Sequence, residues 1–598
     1  MKRDMIDQFL LFVLVILLYP CLFDSHSLLS FSSCLPRQSS ILLQLKSEFT
    51  FQRRVYSDFL INSYPKMKSW KAGSDCCSSW DGVSCDMATG YVISLDLSQS
   101  WLHGSLRSNS SLFSLLHLRK LNLAFNNFTS CPIPSEFGQL SRLTHLNLSN
   151  SMFYGHIPIS EISRLRNLNS LDLSDNFYTL NAYTFPSALY MKEGEVGRLT
   201  QNMTNLRQLY LDWVQIDSPV PIHFANLSSL THLSLEDCTL HGEFPNDIFN
   251  LPNLQFIQLS ENDNLSGSFP EFRSGSMLRL LNLIGTNFSG KIPNSIGNLK
   301  PLNSLFLHFC SFSGIIPSTI GNLTELIDLI LLGNGFSGQI PYSLGNLTQL
   351  EHLSLSSNSF SGKLPISLPH RVKYIKFDDN DLTGSIPSVI SNLTFLEQLE
   401  LSDNSFTEVI PASLFKLPSL TDLSLENNQF TGFNIQNVSN LSPLYSLELG
   451  SNDLSGSLDF GLFSEMSSLS FLDLSNNSGL FITNLSTAST PSNKFQGIYL
   501  SSCNIREFPI FLKTQGELEV LDLSNNNISD PIPKWLLNIG IESLMTLDLS
   551  HNFIRGWEKV PLILPWKSMR TLDLHSNMLH GSLVVPPMST FYFFHLRK

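Results

Sequence analysis

Along most of this chain apolar and polar residues alternate in a short core, L-x-L, that returns at a nearly constant interval. The core opens at Leu209, Leu233, Ile257, Leu281, Leu305, Leu329 and Leu353, six successive steps of 24 residues. The series runs on through Ile375, Leu399, Leu423, Leu447, Leu472, Ile498, Leu521, Leu547 and Leu572, and it begins at Leu95, Leu121, Leu146 and Leu171. These 20 units share the template L-x-x-L-x-L-x-x-N-x-L-x-G-x-I-P-x-x-L-x-x-L. Alternation of period two predicts a strand with one buried and one wet face at every core. Three residues past the second core position stands Asn in most units (Asn126, Asn176, Asn334, Asn358, Asn404, Asn452, Asn526, Asn577). Its amide both donates and accepts, so stacked copies can satisfy turn backbone groups. The G-x-I-P that follows turns the chain, Gly by tolerating positive φ and Pro by fixing φ and removing a donor.

No single unit can bury its own leucines. Stacked neighbours make one continuous core, worth about 1.5–3 kcal/mol for each fully buried Leu or Ile. A period of 20–29 residues with this spacing is the leucine-rich-repeat signature. The expected fold is an α/β solenoid, a right-handed superhelix with a parallel β-sheet on its concave face. The S-G-x-I-P turns, as in residues 287–293 and 335–341, resemble the plant extracellular subclass of these repeats. Residues 34–49 and 69–85 are similar to that subclass's N-terminal capping domain. From residue 34 to about 589 the chain resembles plant receptor-like proteins of the disease-resistance type. That resemblance implies a cell-surface receptor with a large repeat ectodomain, one membrane span and no kinase. The step from Leu171 to Leu209 is stretched to 38 residues by an insertion at about 177–204, which is also similar to that family. The expected organisation is a signal peptide over 1–27, a cap over 28–91, repeats over 92–583 and a C-terminal stub over 584–598.

Composition narrows the function classes. Of 598 residues 42% are hydrophobic and 15% charged, with a net charge of −13. Disorder needs few apolar residues and dense charge, so it is excluded. An acidic chain without a Lys/Arg-rich run does not suit nucleic acid. Thirty Pro and 32 Gly exclude a helical bundle. Lys2 and Arg3 precede an apolar run over 9–19, then Pro20 and Cys21. That run is short of the ~20 residues that cross a bilayer and matches the h-region of a secretory signal peptide. The chain is expected in the secretory pathway and at the cell surface or apoplast. No later stretch is apolar enough to anchor it, whereas the full-length family sits in the plasma membrane.

The four cysteines of the cap, Cys34, Cys76, Cys77 and Cys85, admit three pairings. The family resemblance implies Cys34–Cys76 and Cys77–Cys85. A Cys-Cys pair lacks zinc-ligand spacing, so no metal site is expected. Cys238, Cys310 and Cys503 take the Asn position of their units and Cys131 lies in a turn, all structural readings. With a signal peptide, N-x-S/T sequons become expected glycosylation sites. These are Asn109, Asn127, Asn202, Asn226, Asn264, Asn287, Asn322, Asn346, Asn392, Asn437, Asn440, Asn476, Asn484 and Asn527. Asn147 is also a sequon but lies between Leu146 and Leu148 on the strand face, and it is excepted.

No catalytic residue and no cofactor is expected. Gly333, Gly335 and Gly338 fit G-x-G-x-x-G, but within an Asn-turn rather than a βαβ unit. No metalloprotease, hydrolase, Walker or kinase motif set is present. Binding is expected instead, because the strands form a continuous surface. Most wet positions carry Ser, Asn, Asp or Thr, with two departures. Leu280, Ile284, Phe306, Phe309, Ile327, Ile330 and Leu332, with Tyr210 and Trp213 earlier, form an apolar candidate patch. Asp378, Asp379, Glu397, Glu400, Asp403, Asp422, Glu426 and Glu448 form an acidic one, relieved by Lys373 and Lys376. Together they suggest a ligand with an apolar part and a cationic part.

After Asn577 the chain runs into an apolar end at Phe591, Tyr592, Phe593 and Phe594, without a second Cys pair, further repeats or a membrane span. The expectation is a truncated product ending in an apolar stub. The preferred reading is an extracellular ectodomain in plant defence or development that binds a peptide or protein. As the resemblance implies, it would signal through a co-receptor kinase. The alternatives are a secreted inhibitor of cell-wall-degrading enzymes, similar to polygalacturonase-inhibiting proteins, and a non-functional remnant.

Overall fold

The computed structural model describes residues 33–53, 63–129, 131–176, 189–433, 443–483, 494–580 and 593–595. The signal-peptide segment, Cys21, the insertion over 177–188 and the sequons Asn437, Asn440 and Asn484 lie outside the described residues. The chain divides into two units, Met1–Ile216 and Asp217–Lys598.

The first unit opens with a helix, Pro36–Ser47, that buries Leu42 and Leu45. Behind it Trp70 and Trp80 stack at 5.5 Å. Disulfides join Cys34 to Cys76 and Cys77 to Cys85. The helix is tied to the first coil by Glu48, whose carboxylate accepts from the Ser110 hydroxyl at 2.5 Å and the Ser111 N–H at 2.9 Å. Strand Val83–Cys85 runs antiparallel to Val92–Asp96. From there Lys120–Asn122, His145–Asn147, Ser170–Asp172 and Gln208–Tyr210 follow in parallel. The long step before the last strand holds a helix, Glu195–Thr200. Its Glu195 is buried and meets His156 at 2.7 Å.

The second unit repeats one coil. Its strands pair in parallel without slippage, Leu281 against Leu305, Leu305 against Leu329 and Leu329 against Leu353, and so on to Leu547 against Leu572. Register is strongly specified here because a one-residue slip would turn every leucine to water. Leu281, Leu305, Leu329 and Leu353 are all buried. The S-G-x segments form a second parallel sheet of eight strands, from His241–Glu243 to Ser405–Phe406. Under it Phe312, Phe336 and Phe360 stack at 6.2 Å intervals.

In the second unit the backs of the coils are short 3₁₀ turns such as Ser318–Asn322 and Tyr342–Asn346 rather than α-helices. Each is preceded by Pro, at Pro317 and Pro341. Phe593–His595 form a further strand parallel to Thr571–Asp573.

Candidate ligand-binding surface on the parallel sheet

Burial fixes the phase of each strand. The core leucines are inside, and the residues between and beside them face out. What holds the turn beyond is the Asn amide. Asn334 accepts from the Phe312 N–H at 3.0 Å and donates to the carbonyls of Leu307, Leu331 and Leu332. Asn358, Asn404 and Asn526 repeat the pattern. Cys310 and Cys503 keep only the donor half, their thiols reaching Leu283 O at 2.9 Å and Leu474 O at 3.1 Å. Burial pushes the Cys503 thiol up to about 12, far from a nucleophile.

Just before the Asn comes a position the sequence does not advertise. Glu261, Phe309, Ser357, Asp379, Asp403, Asn427, Ser451, Ser502, Asn525 and His551 all have φ between 50° and 56°, in the left-handed region. In the first unit Trp213 occupies it, at φ 63°. Gly285 and Gly333 occupy it without cost.

The apolar candidates sit together. Phe306 lies between Asn282 and Ile330 in register, and Leu280 opposes Ser304 one row away. Phe306, Ile330, Leu280, Ile284 and Leu332 are half-buried; Phe309 is 61% and Ile327 36% exposed. The Phe309 ring lies across Gly333, where an added Cβ would approach it to 2.8 Å. At the centre is His308, which sequence reasoning missed. Burial holds its imidazole below the ordinary histidine range, and its Nδ1 is buried without a hydrogen-bond partner. Phe256, also missed, extends the patch and stacks on His232 at 4.3 Å. Both lie in rows the repeat defines, Phe256 in register with Leu280 and His308 at the 24-residue spacing of Ile284 and Leu332; His308 escaped because its residue type is polar and Phe256 because it lies one strand before the cluster.

A polar chain borders the patch. Asp328 accepts from the Ser304 hydroxyl at 2.7 Å and meets His352 Nδ1 at 2.5 Å. His352 stacks on Tyr374, whose hydroxyl donates to Glu397 at 2.8 Å. Beside Phe309 a recess of about 360 Å³ is lined by Glu261, Asp263, Gly285, Thr286 and Asn287. Nearby Asp237 is pushed up by burial and by the charges of Glu236 and Asp263.

The acidic candidates are partly compensated. Lys373 pairs with Glu351 at 2.7 Å and Lys376 with Glu400 at 3.0 Å, while Asp378 accepts from the Ser356 hydroxyl. Uncompensated charge lies further along. Glu426 is pushed up by burial, then by Glu448, Asp473 and Asp403. Tyr210 and Trp213 belong to the first unit, where Tyr210 is half-buried in register with Asp172. Of the sequons among the described residues, all but Asn127 and Asn147 are exposed. Asn147 donates to Asp172 at 2.9 Å.

The glycine-rich match is a turn: Gly333 and Gly338 have positive φ, and residues 335–338 form a strand. Among the described residues no helix is long and apolar enough to cross a membrane. The one group there of three or more clustered potential metal ligands, Cys34, Cys76 and Cys77, is committed to the disulfides.

Comparison with known proteins agrees with this build. A leucine-rich-repeat N-terminal domain model matches residues 35–86, and leucine-rich-repeat models match 370–430 and six further segments between 117 and 539. Receptor-like protein 6 of Arabidopsis thaliana is 46% identical over 583 residues, 95% of this chain and 57% of the relative. The chain thus spans little more than half the length of that relative. The structure is similar to the Arabidopsis receptor kinase HAESA in complex with the peptide hormone IDA and the co-receptor SERK1, with TM-score 0.63 and 26% identity over 92% of this chain and 87% of that one. It is also similar to the plant peptide hormone receptor RGFR1 in complex with RGF2, with TM-score 0.60 and 28% identity over 84% and 76%. These proteins are named as receptors or receptor-like proteins. The chain is a leucine-rich-repeat protein, homologous over nearly its whole length to the plant receptor-like proteins.

Proposed function

We propose that this chain is the extracellular ligand-binding region of a plant receptor-like protein in defence or development, and that it takes a peptide on the parallel sheet of its second unit. The observation that carries this is the in-register pair Phe306–Ile330, flanked by Leu280, Ile284, Leu332 and Phe309, on one sheet face. Exposed apolar clusters of this kind mark partner sites. An extended peptide would lay apolar side chains there and a cationic group against the carboxylates of Glu261 and Asp263 beside Phe309. The HAESA and RGFR1 complexes support a peptide ligand, and the HAESA complex supports signalling through a co-receptor kinase. An N-terminal signal peptide, export to the cell surface and glycosylation at the exposed sequons complete the reading.

The test is affinity selection of apoplastic peptides on the secreted chain and on Phe306→Asp/Ile330→Asp. A Tyr342→Asp variant, altering an exposed residue on a back turn, is the control. The double variant is expected to lose at least tenfold of the retained peptide while the control keeps it. Retention by the double variant, with its melting curve unchanged, would overturn the assignment.

A further inference from the structure

Near the end of the described stack two histidines meet on the sheet face, away from the apolar patch. His551 takes the left-handed position of one coil, and His575 takes a strand-face position of the next. Equivalent positions in earlier coils carry Asn525 and Ser502 for the first and Ser524 and Ser550 for the second. The scaffold therefore does not require imidazole at either place. His551 Nε2 and His575 Nε2 share a hydrogen bond at 2.9 Å, with ring centroids at 4.4 Å and planes at 80°, and an ion held between them would replace the shared proton. Two nitrogens bound at 2.0–2.1 Å to one ion, at angles from cis to tetrahedral, stand about 2.9–3.4 Å apart.

The surroundings orient the His575 ring with its Nε2 as the acceptor of that bond, the same lone pair an ion would use. His575 Nδ1 meets Asp573 Oδ1 at 2.6 Å, which leaves Nε2 as the lone-pair nitrogen. A carboxylate behind an imidazole is the usual way a ligating histidine is oriented and made more basic. The same Asp573 oxygen accepts the His575 N–H, and the His551 N–H donates to the His575 carbonyl, so both backbones are fixed. Asp548 stands in register with Asp573, and Asp522 with Asp548. Asp522 is pushed up by burial and by the charges of Asp548 and Asp473, a field that a dication would relieve.

We propose that His551 and His575, oriented by Asp573, form a surface site for one borderline divalent transition ion, Zn²⁺ or Cu²⁺, with water completing the coordination. Imidazole donors select this class over Ca²⁺ and Mg²⁺, which take oxygen. Sequence spacing hides the pair, because the two histidines are 24 residues apart and meet only through the stacking.

The experiment titrates the full chain, free of any histidine tag, with ZnCl₂ and with CuCl₂ by calorimetry, and records the electron paramagnetic resonance of the Cu²⁺ form. The variants His551→Asn and His575→Ser install the residues that neighbouring coils carry at these positions, so the fold accommodates them. A one-site isotherm is expected, weakened at least tenfold by either variant, with superhyperfine splitting from two nitrogens. Asp573→Asn is expected to weaken it about 10–100-fold through the imidazole it orients. No saturable one-site binding, an affinity in His551→Asn within twofold of the parent, or equal binding of Ca²⁺ would each overturn the proposal.

Discussion

A single carboxylate on the sheet shows how the stack treats charge. Asp522 is half-buried between strands, and its carboxyl is held above the ordinary range. Burial is the main cause; Ser524, whose N–H donates to it at 2.8 Å, offsets part, and Asp548 and Asp473 add repulsion. A raised carboxyl means the folded chain binds this proton more tightly than the unfolded one. Its destabilising effect is therefore full at neutral pH and fades as pH falls through the raised range. Asp522→Asn keeps an oxygen for the Ser524 N–H and removes the charge. Thermal melts should show a higher midpoint for the variant at neutral pH, with the difference closing in acid. A constant difference across pH would remove the electrostatic cause. At this scale the sequence was legible where a residue type recurs: the Asn amides make the bonds their chemistry allows. It was incomplete at His308 and Phe256, which stand in the same outward rows as Ile284 and Leu280: a polar imidazole is not told from solvated decoration by type, and Phe256 lies one strand before the cluster.

Whole elements were legible in proportion to how local their cause is. The L-x-L strands follow from alternation alone, and the Gly turns from positive φ at Gly290, Gly314 and Gly338. The left-handed residue before the Asn was not legible, because Phe309, Asp403 and His551 share no side-chain property. Its cause is the backbone ladder of the coil. Lys residues that looked like relief for the acidic patch in fact pair selectively, Lys373 with Glu351 on the strand before, a partner set by register rather than by sequence distance. The cap is closed by covalent links of unequal reach. Cys34–Cys76 spans 42 residues and Cys77–Cys85 only 8. Loop-closure entropy assigns them about 4 and about 2.5 kcal/mol. Cys34→Ser/Cys76→Ser should consequently raise amide exchange across the cap helix more than Cys77→Ser/Cys85→Ser does. Equal exchange in the two pairs would mean that chain entropy is not what these bridges supply.

In each unit as a whole, stability is approximately a sum of coils and the interfaces between them, since contacts run mainly between adjacent coils, with a few that reach one coil further, as Tyr445 to Gln496 at 2.8 Å and Phe460 on Phe511 at 4.1 Å. Asn404 illustrates the coupling: it donates to Phe377 O of the coil before and accepts from the Leu382 N–H there. Among the described residues the Asn amides bond only within their own coil and to an adjacent one. Removing Leu399, fully buried and paired in register with Ile375 and Leu423, should therefore act locally. Leu399→Ala is expected to cost about 2–5 kcal/mol, through lost burial and the cavity left behind. Amide exchange should accelerate in the coils around strands 374–376, 398–400 and 422–424 and stay unchanged near strand 546–548. Because these strands carry the acidic face and not the Phe306–Ile330 patch, peptide retention by the patch should survive the substitution. Uniform acceleration across the unit would show one cooperative body instead, and the binding surface could then not be treated as independent of distant coils.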